Sequence, residues 1–121
     1  MSVNAYRRVR GIAEGARAAE HRLMSEVTAE MIGARDGGLT GVALMPALHR
    51  NRQVWSVLSA ACGAPGNKLP DALRASIISI ALWVDRFTSD VVAARDDMEA
   101  LIGVNRAIIE GLAGEALANA A

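Results

Sequence analysis

Pro65-Gly-Asn-Lys-Leu-Pro-Asp-Ala-Leu-Arg-Ala-Ser-Ile-Ile-Ser-Ile-Ala-Leu-Trp-Val-Asp-Arg-Phe87 is the stretch whose reading decides the fold. Pro65-Gly66-Asn67 is a chain reversal, because Pro presets φ and Gly or Asn tolerates φ > 0. Pro70 then suits the first helical position, where a missing N–H is harmless. Asp71 beside it favours the positive end of the helix dipole. At about 100° per residue, Leu73, Ile77, Ile80, Val84, Phe87 and Val91 fall within about 40° of one line. Ile78 and Leu82 fall nearly opposite, with Trp83 between the two groups. A surface helix carries one apolar stripe, so one apolar on two sides is central or is met by a second partner. The expectation is a central apolar helix near 70–94.

Outward from that helix, the pattern repeats. Residues 13–34 place Ala16, Ala19, Leu23, Val27 and Met31 on one face, with Met24 at its edge, and end in the glycine-rich stretch 35–41, read as a polar, flexible linker. Residues 43–63 must hold Pro46 in their first turn and align Leu44, Leu48, Trp55, Leu58 and Cys62, with Asn51 on the same face. Asp96-Asp97 supplies an N-cap for a fourth helix over 97–113, which lines up Met98, Leu101, Ile102, Ile108, Ile109 and Leu112 around Asn105. Short joins between four such helices predict an all-α fold, a single compact antiparallel bundle. Its expected core is Leu23, Val27, Leu48, Trp55, Leu58, Leu73, Ile77, Ile80, Val84, Leu101, Ile108 and Leu112. Residues 1–12, with Arg7, Arg8 and Arg10 around Tyr6, read as a flexible N-terminal arm, and 13–121 as the one domain.

Composition agrees and narrows the function. The 121 residues are 52% hydrophobic but only 3% aromatic, a helix-forming balance rather than a sheet-forming one. Thirteen basic and thirteen acidic residues cancel, which argues against a large phosphate-binding surface. Cys62 is the single cysteine, so no intrachain disulfide can form and a reducing, cytoplasmic setting is expected. The apolar run Ile77–Val84 is far short of the ~20 residues of a membrane span. No signal-peptide pattern opens the chain.

No catalytic constellation is visible, and no metal or cofactor motif. His21 and His49 share no ligand spacing, and Cys62 reads as a small buried hydrophobe. Asn51 and Asn105, each followed by Arg on an apolar face, read as structural polar residues that bond a loop backbone or one another. Asn67 joins them as a turn residue. What remains is surplus apolar surface. Ile78, Leu82 and Trp83, with Arg86 one turn on, are expected either to pack inside the bundle or to receive an amphipathic helix, with the Tyr6 arm closing over it.

Several segments resemble the FlaF family of flagellar biosynthesis regulators: Asn4-Ala-Tyr6, Ala47-Leu-His-Arg-Asn-Arg-Gln-Val-Trp55, Pro65 through Arg74, Ile77 through Thr88, and Leu101-Ile-Gly-Val-Asn-Arg-Ala-Ile-Ile-Glu-Gly-Leu112. The resemblance covers nearly the whole chain. The family's signature positions fall here on Tyr6, Asn51, Arg52, Trp55, Pro65, Asn67, Leu69, Pro70, Trp83 and Asn105. It implies a small helical cytoplasmic protein, not an enzyme, that binds flagellin as a secretion chaperone and supports filament assembly. The alternative it leaves open is a post-transcriptional regulator of flagellin synthesis, acting with an FlbT-type translational regulator or on flagellin mRNA. Direct nucleic-acid binding is not expected, given the neutral charge and the scarcity of aromatic rings.

Overall fold

The computed structural model describes residues 15–120, with side chains to Gly114. Within that range the chain forms four α-helices and no strand: α1 (Ala16–Asp36), α2 (Met45–Gly63), α3 (Asp71–Val92) and α4 (Glu99–Ala120), with a 3-10 turn at Gly41–Leu44 leading into α2. The expected arm at 1–12, Tyr6 included, lies outside the described residues.

Consecutive helices run antiparallel, as their joins require. Glu30 on α1 meets Arg50 on α2, Arg52 meets Asp85 on α3, and Leu73 on α3 approaches Gly111 on α4. Arg35 at the end of α1 meets Glu99 at the start of α4, which closes the ring. The four sides of this ring are unequal. α1 packs closely on α4, and α2 on α3, whereas α3 and α4 touch only sparsely.

One core fills the ring. Met24, Met31, Leu48, Trp55, Ile77, Val84, Leu101, Ile102 and Leu112 are all essentially removed from water. Each large aliphatic side chain so buried contributes about 1.5–3 kcal/mol before the entropy of ordering is counted. The expected core residues Val27, Leu58 and Ile108 are buried as well. Leu23, Leu73 and Ile80 are only half-buried. On α1 the inward line is Met24, Val27, Thr28, Met31 and Ala34. It is turned toward Met24 from the expected line because α1 serves two neighbours, and the side facing α4 carries Thr28, a polar residue that an apolar count passes over. Leu73 and Ile80 are half-buried because they lie on the flank of α3 nearest the thinly packed α4.

Local chemistry explains the ends of the helices. Ala64-Pro65-Gly66-Asn67 is a type II turn, with Asn67 N–H donating to Ala64 O and Gly66 at φ +83. The α1 terminus carries both hydrogen bonds of a Schellman cap, Leu39 N–H to Ala34 O and Gly38 N–H to Arg35 O, with Gly38 at φ +68. The glycine-rich connection is therefore a defined turn and not the loose linker its composition suggests. α3 ends in the same way with Ala94 at φ +59, an L-residue in the glycine position. Asp97 caps α4 by accepting Glu99 N–H at 3.0 Å. That helix continues past Gly114 to Ala120, beyond its expected end near 113.

Candidate functional site

The chemistry-bearing residues of the interior form one network. Asn51 and Asn105 are fully buried, on α2 and α4. Asn105 Nδ2 donates to Asn51 Oδ1 at 2.7 Å and to Thr28 Oγ1 at 3.0 Å. Trp55 Nε1–H donates to Asn105 Oδ1 at 2.8 Å. Thr28 Oγ1 in turn donates to the Met24 carbonyl oxygen. Three helices, α1, α2 and α4, are thus tied together in the middle of an apolar core, where such bonds are worth most and misalignment costs most. Among the described residues Asn51 Nδ2 has no partner. All four side chains of this layer are buried, so its effect is to fix register.

Asn67 does similar work at the α2–α3 turn. Its Nδ2 donates to the Ala61 carbonyl at the end of α2, and its Oδ1 accepts Leu69 N–H. This seats Leu69, 4% exposed, under the start of α3.

The uncovered features lie on α3 and beside it. Ile78 and Leu82 are 37% and 63% exposed on the outward side of the helix, and Arg86 follows them into solvent. Next to Leu82 a groove of about 530 Å³ runs between α2 and α3. Its floor includes Trp55 and Val84, and its polar margin includes His49, Arg52, Ser56 and Asp85. Arg52 Nε lies 3.0 Å from Asp85 Oδ1, and the same guanidinium donates to Ser89 Oγ at 2.9 Å. This clasp holds α3 to α2 from the outside.

Trp83 is not brought together with Ile78 and Leu82. At about 100° per residue it points some 100° round the helix from Leu82, where its ring stacks on Phe87 at 4.7 Å between centroids. Both rings are half-buried and pack against the core on the flank facing α4. The apolar surplus of α3 is therefore split between an outward pair and an aromatic pair in the seam.

Titratable chemistry is sparse. Burial pushes the Cys62 thiol up, with nearby Glu20 adding to the shift. Glu20 is itself raised by burial, against the opposing pull of its ion-pair partner Arg17. Among the described residues no three His, Cys, Asp or Glu side chains gather as metal ligands. No helix among them is long and apolar enough to cross a membrane.

A further exposed set was not singled out from the sequence, Leu39, Val42 and Val92, and Met45, one of the methionines read as adaptable groove packing, is exposed with them. Of these, Leu39 and Val92 come together where the α1–α2 connection meets the α3–α4 join. The signal was the run Leu39-Thr-Gly-Val-Ala-Leu-Met45, apolar in a connection that its glycines made look polar.

No curated protein and no solved structure matches the chain. The family model described as "Flagellar protein FlaF" matches residues 2–112, so it spans the first three helices and α4 as far as Leu112, and contains both buried asparagines, the Pro65 turn and the two-sided helix. The chain belongs to the FlaF family of flagellar proteins.

Proposed function

We propose that this flagellar protein binds flagellin in the cytoplasm as a secretion chaperone and is not an enzyme. The observation that carries the reading is the uncovered apolar pair Ile78 and Leu82 beside an open groove with an apolar floor. Flagellin subunits need their amphipathic terminal helices held until export, and such helices bind by laying an apolar face into a groove. Leu82 and Ile78 lie one turn apart and suit successive contacts of such a face. Arg86, exposed at the next turn, supplies a charge at its edge.

Titration calorimetry of the purified protein against flagellin from the same organism tests this. Binding at sub-micromolar affinity, about −8 kcal/mol or better, with a negative heat-capacity change, is expected. Ile78→Ser with Leu82→Ser is expected to weaken it at least about tenfold, since two exposed aliphatic contacts are lost. The circular dichroism spectrum should not change, because neither residue is in the core. Unchanged affinity in this variant overturns the placement, and absence of binding by the folded wild type overturns the reading.

In that last case the weight moves to a regulator that meets an FlbT-type protein or the flagellin transcript. Two observations stand against direct RNA contact. Arg50 is paired with Glu30 at 2.8 Å and Arg52 with Asp85 at 3.0 Å, so neither is a free cation for phosphate.

A further inference from the structure

Two of the exposed apolar residues at the end of the bundle, Leu39 and Val92, line a cleft of about 480 Å³. Leu44, Val91 and Met98 are buried or half-buried in its floor, and Leu39 and Val92 stand 45% and 44% exposed at its lip. Val42, 86% exposed, and Met45, 41% exposed, extend the apolar surface along the 3-10 turn and the start of α2. Two of the seven large hydrophobic side chains exposed among the described residues therefore line this one concavity, and two more, Val42 and Met45, follow Leu39 closely in the chain. Scattered single exposures need no account; a cluster around a concavity does.

The charge around it is one-sided. Asp96, Asp97 and Glu99 line the cleft, and Arg35 is the cation among its lining residues. Arg35 is already engaged by Asp36 and Glu99, and adjacent Arg95 by Asp90. Among the described residues Asp96 and Asp97 accept only backbone N–H groups, from Asp97 and Glu99, and neither forms an ion pair. The walls are preformed, because the left-handed residues Gly38 and Ala94 close hydrogen-bonded turns on the two sides. A rigid apolar floor with a surplus acidic rim has a specific complement.

We propose that this cleft docks a basic amphipathic segment of a partner protein, with apolar side chains seated between Leu39 and Val92 and Lys or Arg side chains reaching Asp96 and Asp97. The site is at the bundle end, apart from the outward side of α3, and does not depend on the flagellin reading. Exposed carboxylates steer and select such a segment more than they tighten it, so discrimination by charge is the signature.

The test uses the full chain and two fluorescein-labelled 18-residue helical peptides with the same leucine face, one with lysine and the other with glutamate on its polar face. Fluorescence anisotropy at low salt is expected to show the lysine peptide binding at least about tenfold tighter, the gap narrowing as salt screens the rim. Asp96→Asn with Asp97→Asn keeps the cap acceptor of α4 and is expected to remove most of that preference. Leu39→Ser with Val92→Ser is expected to weaken binding of the lysine peptide at least about fivefold without loss of helicity. Equal binding of the two peptides overturns the proposal. So does a preference that survives the Asp96/Asp97 variant, or binding that is lost only with Ile78→Ser and Leu82→Ser, which places the peptide on α3.

Discussion

The carboxamide of Asn105 accepts from Trp55 and donates to both Thr28 and Asn51, so its removal strands the Trp55 N–H and the Asn51 carbonyl oxygen in the core, while Thr28 keeps its bond to the Met24 carbonyl. Each stranded group costs about 1–3 kcal/mol, offset partly by relaxation. Asn105→Ala is expected to destabilise the fold by about 3 kcal/mol in urea denaturation. Asn51→Ala strands fewer, because Asn51 Nδ2 is already unpaired and only its Oδ1 is used. Its expected cost is lower by about 1 kcal/mol or more. Equal costs would mean the network is not organised around Asn105. Cys62 gives a second residue-scale prediction. The native state holds the thiol proton to higher pH than the unfolded chain does, because burial raises its pKa. The native state therefore binds more protons above the ordinary thiol range, and stability falls as pH rises through it. Cys62→Ala should flatten that alkaline slope, and a thiol reagent at pH 8 should label native Cys62 at least about a hundredfold slower than the urea-unfolded chain.

At the scale of elements, the two helix ends that turn left-handed make a matched experiment. Gly38 occupies its position freely, while Ala94 at φ +59 bears the clash of its Cβ with backbone. Ala94→Gly is expected to raise stability by about 0.5–1 kcal/mol, and Gly38→Ala to lower it by about 1 kcal/mol. Thermal denaturation of the pair checks both signs. These turns also mark where sequence reading worked and where it did not. The Pro65-Gly66-Asn67 reversal, the Asp97 cap and the inward face of α2 were legible because each is dictated by a residue's own backbone or side-chain chemistry. The inward face of α1 was only partly so: Met24, Val27 and Met31 were legible, but Thr28 was not, since its partner Asn105 lies 77 positions away. The Trp55–Asn105 bond was half-legible: a buried indole N–H needs an acceptor, but which helix supplies it depends on packing. The apolar cluster at Leu39 and Val42 was hidden by its own glycines. Three of them in five residues announce a loop, and say nothing of whether that loop leaves aliphatic side chains in water.

At the scale of the whole molecule, the unequal ring has a dynamic consequence. The polar network ties α1, α2 and α4, and α3 takes no part in it, because Thr88 Oγ1 bonds only within its own helix, to Val84 O. Contact between α3 and α4 is thin, and the half-buried Trp83 and Phe87 lie in that seam. What holds α3 is its apolar face on α2 and the Arg52 clasp to Asp85 and Ser89, an exposed attachment worth well under about 1 kcal/mol for the ion pair. α3 is therefore the helix outside the polar network and with one thinly packed neighbour, and it is the one that carries Ile78 and Leu82. Native-state hydrogen exchange is expected to show α3 amides opening at a free energy about 1–3 kcal/mol below those at the centres of α1, α2 and α4, as a separate cooperative unit. Arg52→Ala should lower the α3 opening energy further while leaving the other helices nearly unchanged. A partner seated against the outer side of α3 and α2 should raise it instead, and protection rising uniformly across all four helices would show that the partner stabilises the bundle without engaging this side in particular. If all four helices exchange only through global unfolding, the sparse α3–α4 seam is mechanically irrelevant, and binding on α3 must be explained by its static surface alone.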